Sequence, residues 1–373
     1  MHYYLIAGEA SGDLHASNLM KALKNHDPSA IFRCWGGDLM EKAGGTLVKH
    51  YRDLAYMGFL EVITHLGKII GNLRFCEKEL LSYKPDVLIL VDYPGFNLRI
   101  AKFASRNGIR VFYYISPQLW AWKSSRVRTI RKSVERMFVI LPFEKKFYAG
   151  HGLEVDFVGH PLLDVIETGA AEPDRDSFFR DNSLDNRPVI ALLPGSRMME
   201  VGNMLKVMSS VVSRFGDHQF VVAGAPAIPK EFYNSILNDL PVRVLFNQTY
   251  DLLLHSAAAI VTSGTATLET ALLRVPQIVC YKGNPLSYAI ARWIVHVPFI
   301  SLVNLIYEKL LVREFIQEEL TTENLVAELN KILDNDDYRQ MMRAGYIRIV
   351  ESLGGKGASE RCAKLMIQYL HKI

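Results

Sequence analysis

The sequence predicts an α/β fold that contains doubly wound parallel sheets. Short, nearly continuous apolar runs such as Val87–Val91 alternate with segments of helical periodicity such as Leu98–Asn107. Apolar runs of this kind are typical of parallel strands that helices cover on both faces. The alternation restarts near residue 188, after the polar stretch Glu167–Pro188, and this restart indicates a second domain.

The individual elements follow from the same pattern. The predicted strands are Tyr3–Ala7, Val87–Val91, Val111–Ile115, Arg136–Ile140, Val189–Leu193, Phe220–Ala223, Arg243–Phe246, Ala259–Thr262 and Gln277–Cys280. Helical patterns lie between them, for example at Leu14–Lys24, Leu98–Asn107 and Leu268–Leu273. Residues 321–373 are also predicted to be helical. We place the domains at 1–165 and 186–350, with the last helix, about 358–373, able to pack back on the first.

The composition excludes several classes of protein. The 373 residues are 49% hydrophobic and 22% charged, as in ordinary soluble proteins, and the net charge of +4 is too weak to indicate nucleic acid binding. The four cysteines form no CxxC pair, so neither a zinc site nor a disulfide framework is indicated. The chain starts without signal-peptide features and has no uncharged apolar stretch of transmembrane length. A cytoplasmic location is expected.

Two junctions in the second half predict a site for a nucleotide-activated donor. The predicted strand Val189–Leu193 runs into Pro194, Gly195, Ser196 and Arg197. A helix that starts there offers backbone N–H groups to an anion, and arginine adds a forked cation suited to phosphate. The second junction supplies glycine, hydroxyls and a carboxylate, from Ser263, Gly264, Thr265 and Glu269. Together the two indicate a pocket for a diphosphate that carries a ribose.

The loop after the first predicted strand carries Glu9, Ser11, Gly12 and Asp13. Its glycines permit a tight turn, and Ser11 or Asp13 is a candidate cap for the helix that follows. The loop lacks the GxGxxG spacing of a dinucleotide site, which argues against a nicotinamide-dependent dehydrogenase. A capped loop without a ligand is the alternative interpretation.

Asp92 directly follows the predicted strand Val87–Val91, in a turn that continues to Asn97. A carboxylate in this place can accept a proton from a sugar hydroxyl that attacks an activated carbon. The alternative is that Asp92 only caps the next helix.

A further loop combines aromatic and polar side chains, among them Ser116, Gln118 and Trp120, ahead of the cations at 126–132. Such a loop could bind phosphate and acyl chains or pack against a sugar face. The alternative is a structural loop followed by a solvated basic helix face. His160 is either a site residue or a structural histidine. The eleven histidines show no metal-binding spacing, so no metal site is predicted.

Residues 57–75 form a helical pattern with a wide apolar stripe. The apolar positions are Phe59, Val62, Ile63, Leu66, Ile69, Ile70 and Leu73, and Lys68 and Arg74 flank them. Such a stripe fits either a helix that lies on a membrane surface or a helix packed into the core.

The motifs together resemble the lipid-A-disaccharide synthase family. The matching segments, in order, are Ala7–Asp13, Asp92–Asn97, Ser116–Trp122, Leu141–Glu144, Phe157–Pro161, Leu193–Arg197, Ser263–Glu269 and Tyr281–Gln317. They span nearly the whole chain, and their combination is specific although each piece alone is weak. One departure is Gly95, where relatives often carry a second acidic residue.

The resemblance implies a two-lobed GT-B glycosyltransferase with a cleft between its lobes. The implied reaction joins UDP-2,3-diacylglucosamine to 2,3-diacylglucosamine 1-phosphate with inversion, at the inner face of a membrane and without metal or cofactor. Asp92 is the implied base, and Arg197 and Glu269 would meet the diphosphate and the ribose. Asn304 and Gln317 would help to complete the donor pocket. The oligomeric state is left open, with a homodimer as one alternative.

Two other functions remain as alternatives at this point. Another GT-B enzyme that uses UDP-sugars, such as an epimerase or a cell-wall glycosyltransferase, would share the arginine and glutamate of the donor site. A non-catalytic protein that binds lipid at a membrane surface would fit the 57–75 stripe and the mild basicity. Clustered polar residues at several strand ends argue against the second alternative.

Overall fold

Two parallel sheets organise the chain. The computed structural model describes residues 1–54, 66–121, 124–166, 174–284, 288 and 297–371. Contacts divide the chain into one unit formed by Met1–Asp164 with Leu353–Ile373 and a second unit formed by Val165–Ser352. Several residues for which a role was predicted lie outside the described ranges, namely Phe59, Val62, Ile63 and Trp122.

The first unit contains a parallel sheet with the order β3-β2-β1-β4-β5-β6-β7. Its strands are β1 His2–Ala7, β2 Ile31–Gly36, β3 Gly45–His50, β4 Val87–Val91, β5 Val111–Tyr114, β6 Arg136–Val139 and β7 Asp156–Phe157. The central strands β1, β4 and β5 are buried along almost their whole length, because helices cover both faces of the sheet. This burial explains their continuous apolar sequences.

The helices of the first unit connect these strands. They are Ala10–His26, Asp38–Lys42, Leu66–Tyr83, Pro94–Arg106, Val127–Ser133, Pro142–Ala149, Leu162–Val165 and Ala358–His371, with short 3-10 turns at Tyr51–Asp53 and Ser124–Arg126. The last helix packs on the first, and His26 contacts Glu360 at 2.6 Å. Asp164 accepts hydrogen bonds from three backbone N–H groups of residues 357–359, at 2.6 to 3.2 Å, and so caps this helix.

The second unit contains a parallel sheet with the order β10-β9-β8-β11-β12-β13. Its strands are β8 Val189–Leu193, β9 Gln219–Gly224, β10 Val242–Phe246, β11 Ser256–Thr262, β12 Gln277–Tyr281 and β13 Glu314–Ile316. Its helices are Arg175–Asp181, Met198–Met208, Lys230–Leu237, Thr249–Leu254, Thr265–Leu272, Leu302–Tyr307, Thr322–Asp334 and Asp336–Ser352, with 3-10 turns at Ser209–Arg214 and Gln317–Glu319. Among the helices described in either unit, none has the length and apolar character to cross a bilayer.

The predicted fold class is confirmed, and the differences concern four strands that were not predicted, namely β2, β3, β7 and β13. Three of them, β3, β7 and β13, are edge strands; β3 is half exposed beyond its first residue, and β7 and β13 have only two and three residues. Edge strands are covered less completely, so their apolar signal is weak. The fourth, β2, lies inside the sheet between β3 and β1, but Arg33 interrupts its apolar run.

Candidate active site

In each sheet the predicted motifs follow the two neighbouring strands between which the strand order changes direction, the topological switch point. In the first sheet β1 lies beside β4, so the loops at 8–13 and 92–97 follow neighbouring strands. In the second sheet β8 lies beside β11, so the loops at 194–197 and 263–265 do the same. Ligands of open α/β sheets bind beyond the carboxyl ends of the strands at such a switch point. Each unit therefore presents one candidate binding edge.

Asp92 stands in a strained turn that its neighbours hold in place. Asp92 and Tyr93 have φ angles of 44° and 50°, in the left-handed region. Such residues cost on the order of 1 kcal/mol each and persist where the surrounding structure enforces them. The buried Asn97 amide donates to the Asp92 carbonyl oxygen at 2.7 Å, and the Tyr113 hydroxyl donates to the same oxygen at 2.5 Å. Asn97 therefore positions the main chain of Asp92.

The carboxylate of Asp92 has the ionisation behaviour of a general base. Burial, and next the negative charge of Glu9, raise the pKa of Asp92 to about 6, although a hydrogen bond from the Tyr93 backbone acts in the opposite direction. A base is most effective when its pKa lies near the working pH. Glu9 is the N-cap residue of the helix Ala10–His26, and its side chain makes no capping hydrogen bond. The edge thus combines a carboxyl group of raised pKa with a second carboxylate that increases its proton affinity.

The first loop and the Asp92 turn are packed closely together. A Cβ atom on Gly8 would collide with the ring of Tyr93, and a Cβ on Gly12 would lie 3.2 Å from the Cβ of Ala7. Glycine removes the collision at position 8 because it carries no side chain. Gly8 therefore allows the loops after β1 and β4 to approach each other, whereas Gly12 keeps a close contact with Ala7 at the end of β1 itself.

The predicted capping of the first helix is wrong. Ser11 lies exposed inside the first turn of the helix Ala10–His26. Asp13 is buried, and its carboxylate accepts hydrogen bonds from three backbone N–H groups of residues 37–40, at 2.8 to 3.1 Å. It therefore caps the short helix Asp38–Lys42, which explains why a carboxylate is buried here.

The loop after β5 has an anchored part and an exposed part. Ile115 has a φ of 62°, which is rare for a β-branched residue, and the Ser116 that follows is buried. The Trp120 ring packs edge to face on Phe143, with ring centroids 5.0 Å apart. Gln118 is exposed. Of the three predicted residues in this loop, Gln118 is the most accessible to a ligand.

A buried carboxyl group that the sequence analysis did not single out follows β6. Glu144 is 1% exposed, and its carboxylate accepts from the backbone N–H groups of residues 140–141 at 3.2 and 2.9 Å. Burial raises the pKa of Glu144 to about 7, although those hydrogen bonds and the Ser116 and Trp120 side chains favour the ionised form. Ser116 is also hydrogen-bonded to the Tyr148 hydroxyl at 2.6 Å. Glu144 thus ties the loops after β5 and β6 together.

We expect Glu144→Gln to remove a pH dependence of stability. The pKa of this carboxyl is about 7 in the folded chain against an ordinary value of 4.5. The folded state therefore binds more protons between these values, so the free energy of unfolding of the natural chain falls as pH rises through that window. Thermal melts across the window should show a falling Tm for the natural chain and a flatter profile for the variant. Equal slopes would contradict this role of Glu144.

His160 has a structural role. Its ring is buried, and Nδ1 accepts a hydrogen bond from the Leu162 backbone at 3.2 Å. Burial, followed by the nearby His15, lowers the pKa of His160 to about 3, so the ring stays neutral. Its backbone N–H donates to the Leu353 carbonyl oxygen at 3.1 Å. His160 therefore helps to attach the last segment of the chain to the first unit.

The loop after β8 ends in Arg197, whose guanidinium is exposed to solvent. Gly195 has a φ of 114°, which favours glycine, and Arg197 is the N-cap residue of the helix Met198–Met208. Arg197 is exposed, and its side chain has no hydrogen bond or ion pair with any residue that the structure describes. The Ser196 backbone N–H, in contrast, donates to Glu200 Oε2 at 3.0 Å. The guanidinium is thus open to an anion, whereas one backbone donor is already occupied.

The loop after β11 is anchored at its first residue and open beyond it. The Ser263 hydroxyl donates to the Ile300 carbonyl oxygen at 2.8 Å. Gly264 is the N-cap residue of the helix Thr265–Leu272, and both Gly264 and Thr265 are exposed. The start of this helix therefore lies at the protein surface, and its use as an anion site stays a prediction.

Glu269 lies one turn further along the same helix. Its carboxylate accepts a hydrogen bond from the Tyr250 hydroxyl at 2.9 Å, and burial raises its pKa. The hydrogen bond from Tyr250 fixes the orientation of a carboxylate that retains acceptor capacity for a ligand hydroxyl. Tyr250 follows β10 and was not identified from the sequence.

The Asn304 side chain is bound entirely within the protein, and its part in completing a donor pocket stays a prediction. Its Oδ1 accepts from the backbone N–H groups of Leu311 and Val312 at 2.8 and 3.0 Å. Its Nδ2 donates to the Val312 carbonyl oxygen at 2.9 Å and to the Glu314 carboxylate at 2.8 Å. These bonds use both donors and both acceptor positions of the amide. Asn304 therefore shapes the segment before β13.

Gln317 lies at the wall of a cavity of about 1230 Å³ in the second unit, which Arg197 and Glu200 also line. Its Oε1 accepts from the Gly283 backbone N–H at 3.1 Å. Its Nε2 is buried and has no partner among the described residues. A buried N–H group without an acceptor is energetically unfavourable, and a bound ligand that accepts from Gln317 would remove this cost.

The described ranges contain no group of three or more His, Cys, Asp or Glu side chains that could hold a metal ion. All four cysteines are described, and each is a buried free thiol. Metal independence of the reaction stays a prediction.

The chain matches the family model described as lipid-A-disaccharide synthetase over residues 3–367. It is 37% identical over 375 residues to the lipid-A-disaccharide synthase of Geobacter sulfurreducens, covering 99% of this chain and 97% of that protein. It is 41% identical over 376 residues to the lipid-A-disaccharide synthase of Syntrophus aciditrophicus, with the same coverage. These matches confirm the resemblance that the motifs carry.

The fold is also that of solved GT-B proteins. The UDP-GlcNAc 2-epimerase from Neisseria meningitidis bound to UDP-GlcNAc is similar with a TM-score of 0.65 and 14% identity, covering 100% of both chains. The calicheamicin glycosyltransferase CalG4 is similar with a TM-score of 0.60 and 17% identity, covering 99% of this chain and 98% of that one. At such identities the likeness shows the fold alone, whereas the match to the family model extends over nearly the whole sequence. The chain belongs to the lipid-A-disaccharide synthetase family and is a glycosyltransferase with the GT-B fold.

Proposed function

We propose that this chain transfers 2,3-diacylglucosamine from UDP-2,3-diacylglucosamine to 2,3-diacylglucosamine 1-phosphate, forming a β-1,6-linked disaccharide 1-phosphate and UDP. The observation that carries the proposal is Asp92, held in a strained turn at a switch point with a pKa raised to about 6. Family membership supports the choice of substrates.

In the proposed reaction Asp92 acts as the base. The 6-hydroxyl oxygen of the acceptor attacks the anomeric carbon of the donor, and the hydroxyl proton passes to the Asp92 carboxylate. The bond from the anomeric carbon to the diphosphate breaks, its electron pair leaves with UDP, and the anomeric configuration inverts. Glu9 supports this step because its negative charge raises the proton affinity of Asp92.

The second unit would bind the donor. Arg197 offers a guanidinium without a partner among the described residues, which suits the charge that develops on the departing diphosphate. The open helix start at Gly264 adds backbone N–H donors, and Glu269 offers a carboxylate to the ribose hydroxyls. These groups could stabilise the leaving diphosphate through hydrogen bonds and positive charge.

Release of UDP tests the proposal. In the presence of EDTA, UDP should appear when both the donor and the acceptor are present and should stay near background with the donor alone. An epimerase would instead interconvert the donor sugar without an acceptor, and a lipid-binding protein would release no UDP. UDP release that does not depend on the acceptor would contradict the proposed reaction.

We also propose that the helix Leu66–Tyr83 helps to seat the protein on a membrane, because both implied substrates carry acyl chains. One side of the helix packs into the first unit through Cys76 and Leu80. Ile70 and Leu81 lie about three turns apart on another side, where they are 40% and 47% exposed. Such exposed apolar side chains can enter the boundary region of a bilayer.

Replacing Ile70 and Leu81 together by serine is therefore expected to reduce co-sedimentation with anionic phospholipid vesicles while Tm changes little. The buried Leu80 provides the control, because Leu80→Ala should cost about 2–5 kcal/mol of stability and leave vesicle binding of the folded protein unchanged. Vesicle binding by the double variant that matches the natural chain would rule out this docking side.

A further inference from the structure

Glu200 occupies the turn that the sequence analysis assigned to a phosphate. Its Oε2 accepts from the Ser196 backbone N–H at 3.0 Å. A Cβ atom on Gly195 would collide with the same carboxylate, so the group lies directly against the glycine of the turn. Glu200 is the third residue of the helix Met198–Met208. A carboxylate of the protein itself therefore fills an anion position at this helix start.

The side chains of Arg197 and Gln317, which line the same cavity as Glu200, lack an anionic or hydrogen-bonding partner in the described part of the chain. Arg197 has no carboxylate partner in the described part of the chain, although Glu200 lies only three residues further along. Gln317 is 5% exposed and its buried Nε2 is unpaired. The cavity thus contains a guanidinium without an ion-pair partner and an amide N–H without an acceptor, while the Glu200 carboxylate already accepts from the Ser196 backbone. This combination indicates that a ligand with several acceptor oxygens binds in the cavity.

We propose that Glu200 is an internal substitute for the donor diphosphate, which holds the 195–197 turn before the donor binds and is displaced when it does. The inference rests on the proposed function and names the group that the diphosphate must replace. One backbone N–H cannot serve a carboxylate and a phosphate oxygen together, and the two anions repel each other. Lys206 and Lys282 also line the cavity and add positive charge there.

A simpler role predicts the opposite result. A glutamate at the third position of a helix often reaches back to a backbone N–H and only stabilises the helix start. In that case Glu200 supports the turn, and removing its charge would weaken or not affect ligand binding. In the proposed role it competes with the ligand, and removing its charge strengthens binding.

Calorimetry of UDP with Glu200→Gln distinguishes the two roles. Glutamine keeps an oxygen that can accept from Ser196 but carries no charge. We expect UDP to bind roughly 5- to 30-fold more tightly to the variant, the range that follows from replacing a competing charged hydrogen bond by a weaker neutral one. Glu231→Gln is the charge-matched control, because Glu231 is an exposed glutamate of the same unit that does not line the cavity, and its replacement should change UDP affinity by less than about twofold. Unchanged or weaker UDP binding by Glu200→Gln would overturn the proposal.

Inorganic pyrophosphate separates this inference from the proposed donor. If the natural chain binds pyrophosphate but not UDP, the choice of a uridine donor is wrong, and tighter pyrophosphate binding by Glu200→Gln still supports the displacement. Equal pyrophosphate affinity in the two proteins would count against it. Melting temperatures of both variants establish that each is folded at the temperature of the titration.

Discussion

Asp92→Asn is expected to lower kcat by about 10²–10⁴ while UDP binding stays close to that of the natural chain. Asparagine has nearly the same shape as aspartate and tolerates the left-handed conformation of this turn, so the backbone should be retained. What the variant loses is the proton acceptor. Circular dichroism and calorimetry with UDP should show a folded protein that still binds the product.

The pH profile provides a second test of the same residue. Since the pKa of Asp92 is raised to about 6, kcat/KM of the natural chain should fall as pH drops through 6, where the base becomes protonated. The residual activity of Asp92→Asn should lack this acidic limb. Turnover near that of the natural chain, or an unchanged acidic limb, would remove Asp92 from the role of base.

Arg197→Ala is expected to weaken UDP binding by roughly 10- to 100-fold, as loss of a charged hydrogen-bonding partner implies. Stability should change little, because the side chain is exposed and has no partner among the described residues. Arg197→Lys should restore only part of the affinity, since a point charge lacks the forked geometry of guanidinium. Calorimetry with the three proteins measures the series.

Arg214 supplies the control for this series. It is an exposed cation of the same unit that does not line the cavity, so Arg214→Ala should leave UDP affinity within about twofold. If Arg197→Ala and Arg214→Ala bind UDP equally well, the effect of Arg197 is no more than a general charge effect.

The sequence predicted those parts of the molecule that depend on local pattern. The buried strands are continuous apolar runs, and Asp92 and Arg197 directly follow such runs, so both the fold class and these positions could be identified. The role of Asn304 could not be predicted, because its hydrogen-bond partners lie seven to ten residues further along the chain. The capping role of Asp13 likewise depends on a helix that begins 25 residues later.

Glu144 and Glu200 show a different limit. Leu141-Pro142-Phe143-Glu144 has proline at the first helical position and glutamate at the third, which is a recognisable signal for a helix start. The sequence does not show that burial would raise the pKa of Glu144. Nor does it show that Glu200 would turn to the Ser196 backbone instead of pairing with Arg197. Both outcomes depend on tertiary packing.

The attachment of the last helix to the first unit affects the order in which the protein can fold during synthesis. Domains generally fold as they emerge from the ribosome, the first one first. Here residues 353–371, whose helix packs on Ala10–His26 and is capped by Asp164, are made only after the whole of Val165–Ser352. The half of the protein that is translated first therefore completes its structure last. Until then a nascent chain leaves uncovered the side of Ala10–His26 against which the last helix packs, and that side is accessible to chaperones.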